Sequence, residues 1–357
     1  MSNARLYRRL WRWHFYAAFL VIPFVLLQSA TGVLYLWQDA WADWTHPGLR
    51  FVAPGATAAP LEDQLEAALF HRPDAVPSLM RVEVDPRRST QVMFADAQGM
   101  PFPVFVDPYR AEVIGELSGW QWMPGWTRLL HGGWPLNPMG SWLLELGACW
   151  AVVMIASGLY LWWPRERSFR QALVPRLRQG PRVAMIDLHA IVAVLFSGFL
   201  LLFLLTALPW TDFWGKRVLQ PVQSMLGQPS PFGDAFRARS DPAGQVSRLS
   251  IDAAVAKARA TGLRGTLEVS LGQQPQSPRI IRDLLAQSSD RQVVALDRYS
   301  GETLVHTTWD DYPWLPRVVA TGVDLHEGRL FGAANRWLNT ALAVALIWLS
   351  TSLTTHP

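Results

Sequence analysis

Apolar residues gather into four runs, separated by two long polar stretches and one short basic one. Residues 13–37 and 188–210 each hold more than about 20 mostly apolar positions, enough for a helix to cross a ~30 Å hydrocarbon core. Residues 142–163 form a third run and 337–353 a shorter fourth. The polar stretches, 38–130 and 212–325, carry shorter periods. A helical pattern at 61–70 and another at 251–260 are each followed by alternating strand-like segments, 79–84 and 266–269. Asp107-x-Tyr109-x-Ala111-Glu112 and Asp297-x-Tyr299-x-Gly301-Glu302 each read as a strand, a turn and a return strand.

Composition turns the apolar runs into membrane spans. Half of the 357 residues are hydrophobic, only 17% are charged, and many of the 19 tryptophans flank the apolar runs. Tryptophan rings settle at the headgroup level of a bilayer. The net charge of +4 does not indicate a nucleic-acid partner, because the arginines cluster beside hydrophobic segments, where they set orientation. Arg5, Arg8, Arg9 and Arg12 precede the first run, which is too long for a signal peptide and is followed by no small-residue cleavage site. Arg165, Arg167, Arg170, Arg176, Arg178 and Arg182 fill the loop between the second and third runs. Both basic segments are therefore expected in the cytoplasm, with the two long polar stretches outside and the C-terminus back inside. The second run ends in Trp162-Trp163-Pro164-Arg165, whereas the fourth ends in Thr354-Thr355-His356-Pro357 without a basic flank. The single Cys149 excludes an internal disulfide, a Cys-rich metal site and covalent c-type haem attachment.

The chain also matches itself. Placing His14 on His189 aligns Phe24 with Phe199 and Thr31 with Thr206, without a gap. Placing His131 on His326 aligns Trp142-Leu143 with Trp337-Leu338. The expected fold is membrane α-helical: four transmembrane helices in two tandem repeats, related by a pseudo-twofold axis along the membrane normal. Each repeat carries one outer α+β module. The expected segments are the N-terminus and first span (1–37), first outer module (38–130), second span with its preceding histidine segment (131–163), arginine-rich loop (164–187), third span (188–211), second outer module (212–325), and fourth span with its tail (326–357).

Four of the eight histidines occupy equivalent positions in this repeat. His14 and His189 begin the outward spans, near the cytoplasmic face; His131 and His326 precede the inward spans, near the outer face. A pseudo-twofold axis makes the members of each pair face one another, one imidazole from each side, which suits the two axial positions of a haem held in a helix bundle. A lone histidine at a membrane interface is more often a hydrogen-bonded structural residue, but four in two symmetric layers point to ligands. Zinc and copper want three or four convergent ligands, whereas each layer offers two. The expected cofactors are two non-covalent haems b with bis-histidine ligation, His14 and His189 on the inner iron, His131 and His326 on the outer. His46, His71, His306 and His356 have no counterpart and read as surface residues, with His306 the one closest to the outer membrane face.

Trp13-His14-Phe15-Tyr16-Ala17, with Thr31-Gly32 near the span's end, resembles the first helix of the PepSY-associated transmembrane family. Asp187-Leu188-His189-Ala190, Leu130-His131-Gly132 and Leu325-His326-Glu327-Gly328 resemble its other histidine motifs, and the Asp-x-Tyr-x-[Ala/Gly]-Glu segments resemble PepSY domains. Within the family the sequence is most similar to the FoxB-like ferric-siderophore reductases of bacterial inner membranes. That resemblance implies two haems b held by the same four histidines, a periplasmic position for the outer modules, and reduction of siderophore iron on the periplasmic side. The implied partners are a ferric siderophore of hydroxamate type, the lipid bilayer, and a cytoplasmic or quinol electron donor.

Trp122 and Trp126 before His131, and Trp309, Tyr312 and Trp314 before His326, are candidates for a shallow substrate pocket; an aromatic belt anchoring the spans explains them equally well. Glu145, a carboxylate inside the second span, could bond a ligand histidine or a quinol hydroxyl, or pair with Arg336 or Ser141. Two other functions compete with reduction. A permease for iron chelates needs a wide polar pathway, and the spans offer little beyond Gln28, Glu145 and hydroxyls. A regulatory protein binding through its PepSY modules needs no matched histidines.

Overall fold

The computed structural model describes residues 2–136, 138–165, 167–242, 248–284 and 287–352. The chain opens with helix α1 (Ser2–Leu36), followed by α2 (Leu61–His71) and strands β1 (Val76–Val82), β2 (Thr90–Ala95), β3 (Pro101–Asp107) and β4 (Glu112–Glu116). Helices α3 (Met123–His131), α4 (Met139–Trp162) and α5 (Pro181–Ala207) come next. The second half holds α6 (Ile251–Ala260), β5 (Leu267–Ser270), β6 (Arg279–Asp283), β7 (Val293–Leu296), β8 (Thr303–Thr307), α7 (Trp314–His326) and α8 (Gly332–Ser352). The expectation about His356 and the tail lies outside the described residues.

These elements sort into two compact units, one helical and one α+β. The helical unit contains α1, the stretch Thr127–Val222 and the chain from Thr321 onward. Three of its helices, Ala4–Leu36, Met139–Trp162 and Pro181–Trp210, are long and apolar enough to cross a membrane. Little of their surface is covered by protein: Phe19, Leu195 and Leu205 are more than half exposed. In water each such side chain would forfeit about 1.5–3 kcal/mol of burial; against lipid tails it needs no protein partner. The chain is a membrane protein. Helix α1 packs against α4 and α8, and α5 packs against the same two. Thus α1 and α5 stand on one diagonal of a four-helix arrangement and α4 and α8 on the other.

Two helices start earlier than the apolar pattern places them. α1 already includes Arg5, Arg8, Arg9 and Arg12, because long guanidinium stems can lie along a helix and carry their charge out to the interface. α5 begins at Pro181, with proline in its first turn, where the missing N–H costs nothing. The 164–187 loop accordingly contains the first turns of α5. The stretch 212–325 is divided between the two units. Residues 212–222 and 321–325 belong to the helical unit, the former largely as a π-helix, Asp212–Leu219. Its Arg217 lies 5.0 Å over the Trp142 ring.

Each half of the chain supplies one helix and four strands to the α+β unit. All eight strands form one sheet in the order β4-β3-β2-β1-β5-β6-β7-β8. Each half is an antiparallel meander, and the halves join where β1 pairs antiparallel with β5, Met80 opposite Val269. Left alone, each meander would present an open inner edge, a surface that invites pairing. One face of the sheet packs on α2 and α6, in a single core that includes Leu65, Ala68, Met80, Phe94, Val104, Ile251, Ala258, Val269 and Ile281. Side chains one position away point to the other face, where Phe105 meets Trp122 and Ala295 meets Ala235.

The Asp-x-Tyr turns have a physical reason for their residues. Asp107 and Asp297 each accept the backbone N–H of the tyrosine two positions on, at 2.8 and 2.9 Å. The fifth position turns left-handed, φ 52° at Ala111 and 71° at Gly301, which glycine adopts without a Cβ penalty. Tyr109 and Tyr299 donate their hydroxyls to the carbonyls of Pro86 and Pro275.

Candidate haem-ligand layers

The four histidines sit on four different helices of the helical unit. His14 is on α1 and His189 on α5, the diagonal pair. His131 ends α3 and His326 ends α7. Each pair expected from the sequence thus takes one histidine from each half of the chain. The layers are well separated: Thr31, which touches His131, follows His14 along α1 by about 25 Å at ~1.5 Å per residue.

All four imidazoles are held through Nδ1 by a hydroxyl. His14 Nδ1 lies 2.9 Å from Ser157 Oγ on α4, and His189 Nδ1 lies 3.2 Å from Ser352 Oγ on α8. His131 Nδ1 lies 2.9 Å from Thr31 Oγ1 on α1, and His326 Nδ1 lies 3.4 Å from Thr206 Oγ1 on α5. Among the described residues, no hydrogen bond reaches the Nε2 of any of the four.

The backbones carrying His131 and His326 are held as well. Gln28 donates its amide to the His131 carbonyl at 3.2 Å. Asn339 donates to the carbonyls of Leu325 and His326, and Asn335 to that of Leu325. Both asparagines are almost fully buried, and they satisfy the terminal carbonyls that a helix end leaves unpaired. On α4, Gly158 leaves room for His14: a Cβ there would stand 3.2 Å from its ring.

Glu145 has a different role from those the sequence raised. Its buried carboxylate accepts the backbone N–H of Phe213 at 2.9 Å and of Trp214 at 3.3 Å, capping the start of the π-helix. A carboxylate at a helix N-terminus satisfies orphan donors and the local dipole together. That arrangement explains an acidic side chain in an apolar helix.

The five aromatic candidates all fall in the α+β unit and differ among themselves. Trp122 is only 7% exposed and packs edge-on against Phe105 in the core, so it offers no face to a ligand. Half-buried Trp126 donates its indole N–H to the Trp120 carbonyl. Trp309 stacks on Tyr312 with ring centroids 5.6 Å apart, and the Arg317 guanidinium sits over Trp309. Burial pushes the Tyr312 phenol above its ordinary range. Trp314 is exposed at the start of α7. The unpaired histidines are peripheral: His71 contacts Glu116, His306 on β8 contacts Gln292, and His46 contacts Thr45.

Ser157 and Ser352 escaped the sequence reading, although a signal for them exists. The gapless match that aligns His131 with His326 and Trp142 with Trp337 also aligns these two serines. Among the described residues, no group of three or more His, Cys, Asp or Glu could hold a bare metal ion.

No protein of curated function matches the chain. The model of one family, the PepSY-associated TM region, matches residues 11–352, a stretch that contains all four histidines and the four hydroxyls that hold them. The chain belongs to the PepSY-associated transmembrane family.

Proposed function

We propose that this protein is a two-haem electron-transfer protein of the bacterial inner membrane that reduces ferric siderophores on the periplasmic side. The observation that carries this reading is the pairing of four half-buried imidazoles in two layers, each with Nδ1 engaged and Nε2 unbonded. His14 and His189 would hold one haem b, and His131 and His326 the other. A haem with two imidazole ligands supplies one-electron transfer and has no open position for oxygen chemistry. Two-ligand layers fit that requirement better than they fit zinc or copper.

In this reading α8 is the fourth span, and the chain is two tandem copies of one unit: a span outward, an outer module, and a span back. The basic segments around Arg5–Arg12 and Arg165–Arg182 would lie in the cytoplasm. The separation of about 25 Å between layers would bring one haem near each face of the hydrocarbon. The protein's residues do the holding, orienting and spacing; the donor, a reduced cytoplasmic carrier or a quinol, loses one electron for each ferric ion reduced. A hard, anionic oxygen chelator of hydroxamate type holds Fe(II) much less well than Fe(III), so reduction releases the metal. The Trp309–Tyr312 stack with Arg317 is the candidate docking surface for such a chelate.

The test is an absorption spectrum of the purified full-length protein, with haem extracted for stoichiometry. Soret and α bands that sharpen on dithionite, at two haems b per chain, are expected. Adding a ferric hydroxamate to the reduced protein should restore the oxidised spectrum. A colourless protein overturns the reading; a coloured one that no ferric chelate oxidises overturns the substrate.

A further inference from the structure

The four hydroxyls beside the histidines make more than a contact. Each also lies against a carbonyl of its own helix: Thr31 Oγ1 on Leu27 at 2.7 Å, Ser157 Oγ on Met154 at 3.1 Å, Thr206 Oγ1 on Phe203 at 2.8 Å, and Ser352 Oγ on Leu349 at 3.5 Å. A hydroxyl has one hydrogen. Committed to a carbonyl, which can only accept, that hydrogen leaves the oxygen's lone pairs facing the imidazole. The ring nitrogen must then be the donor, so Nδ1 carries the proton and Nε2 is left with its lone pair. One histidine confirms the direction independently. His326 Nδ1 lies 3.2 Å from the Phe203 carbonyl, which could not donate a hydrogen in return.

We propose that Thr31, Ser157, Thr206 and Ser352 are positioning residues that fix all four histidines as the Nδ1–H tautomer and so present Nε2 to iron. The proposal rests on the two-haem reading and assigns residues to each site. Ser157 and Ser352 serve the His14/His189 layer; Thr31 and Thr206 serve the His131/His326 layer. A neutral imidazole binds metal only through its unprotonated nitrogen, and the bond made by the other nitrogen sets ring orientation and ligand basicity. An acceptor on Nδ1–H makes the ring a stronger donor, which favours the ferric state and holds the midpoint potential down. Each bond also links two segments of the same half of the chain: α1 to α4 and α3 in the first, α5 to α8 and α7 in the second. The hydroxyls thus lock ring rotation as well as protonation.

The test uses full-length protein in detergent, with redox titration followed at the α bands and low-temperature electron paramagnetic resonance of the oxidised form. Ser157→Ala should raise the midpoint potential of one haem and change its g-anisotropy, leaving the other haem as in wild type. Thr31→Val, close in volume, should do the same to the other haem alone. Ser157→Thr should restore the wild-type potential. If Ser157→Ala loses its haem, Ser157→Cys keeps the volume with a weaker acceptor and should still shift the potential upward. Two haems per chain with potentials and g-values unchanged in these variants would overturn the proposal while leaving the two-haem reading intact. A wild-type protein without haem would overturn both.

Discussion

Asp252 caps the helix that begins at Leu61, and Glu62 caps the helix that begins at Ile251. The Asp252 carboxylate accepts the N–H groups of Leu61 and Glu62 at 2.9 and 3.2 Å, while Glu62 accepts the N–H of Ile251 at 2.9 Å. Pro60 precedes α2 and has no side chain able to cap it, so the acceptor comes from the other half of the chain. An N-cap is worth about 0.5–2 kcal/mol. Asp252→Ala should therefore lower the stability of the full-length protein by about that much, and Asp252→Asn by less. Because the two acids sit at one junction, a double-mutant cycle with Glu62→Ala should give non-additive losses. Additive losses in thermal unfolding would mean that the caps act independently.

Glu145 gives a stability prediction separable from redox chemistry. Glu145→Ala would leave the Phe213 and Trp214 N–H groups without their acceptor, at about 1–3 kcal/mol for a buried unsatisfied donor. Glu145→Gln keeps an acceptor oxygen and should cost less. Haem content and midpoint potentials should stay at wild-type values in both variants. A specific loss of one haem in Glu145→Gln would instead place the carboxylate at a ligand.

A crowded glycine packs against the segment that follows His131. A Cβ at Gly140 would collide with the Gly133 carbonyl, on the backbone just after His131. Gly140→Ala should force that segment to shift, at about 1–3 kcal/mol or more for overpacking, with loss of the haem proposed at His131 before the other. Gly198→Ala, where nothing lies within 4 Å of the added Cβ, is the neutral control. Equal haem loss in both would show that the effect is not local.

Acid should weaken the α+β unit through Asp43. Burial raises this carboxyl, but hydrogen bonds from Arg88 and Arg50 outweigh it and hold the group below the usual carboxylate range. The unfolded chain then binds the proton more readily, so the stabilisation is present above about pH 4 and fades as pH falls through the folded value. Asp43→Asn should be less stable at neutral pH and should show a flatter acid limb. Parallel acid limbs for variant and wild type, measured by intrinsic fluorescence, would assign the acid sensitivity elsewhere.

The spans were legible because twenty apolar residues in a row have few other uses. Their ends were not, since arginine and tryptophan at an interface extend a helix without lengthening its apolar run. The histidine pairs could be read because a gapless match between distant segments is a sequence property. Ser157 and Ser352 lie in that same gapless match, but one hydroxyl in an apolar helix does not stand out until the histidine it faces is known. The Met80–Val269 pairing joins strands separated by most of the chain, and neither strand encodes its partner locally. Trp122 looked like its exposed neighbours because only the packing of Phe105 distinguishes a core tryptophan from an interfacial one.

That central β1–β5 seam has a consequence for dividing the molecule. Cutting the chain in the basic loop between α4 and α5 would leave each fragment with an unprotected inner strand and one member of each histidine pair. Co-expressed fragments should find each other along the seam and reassemble. A fragment made alone has only its own copy to pair with, and would be driven toward a homodimer or toward aggregation.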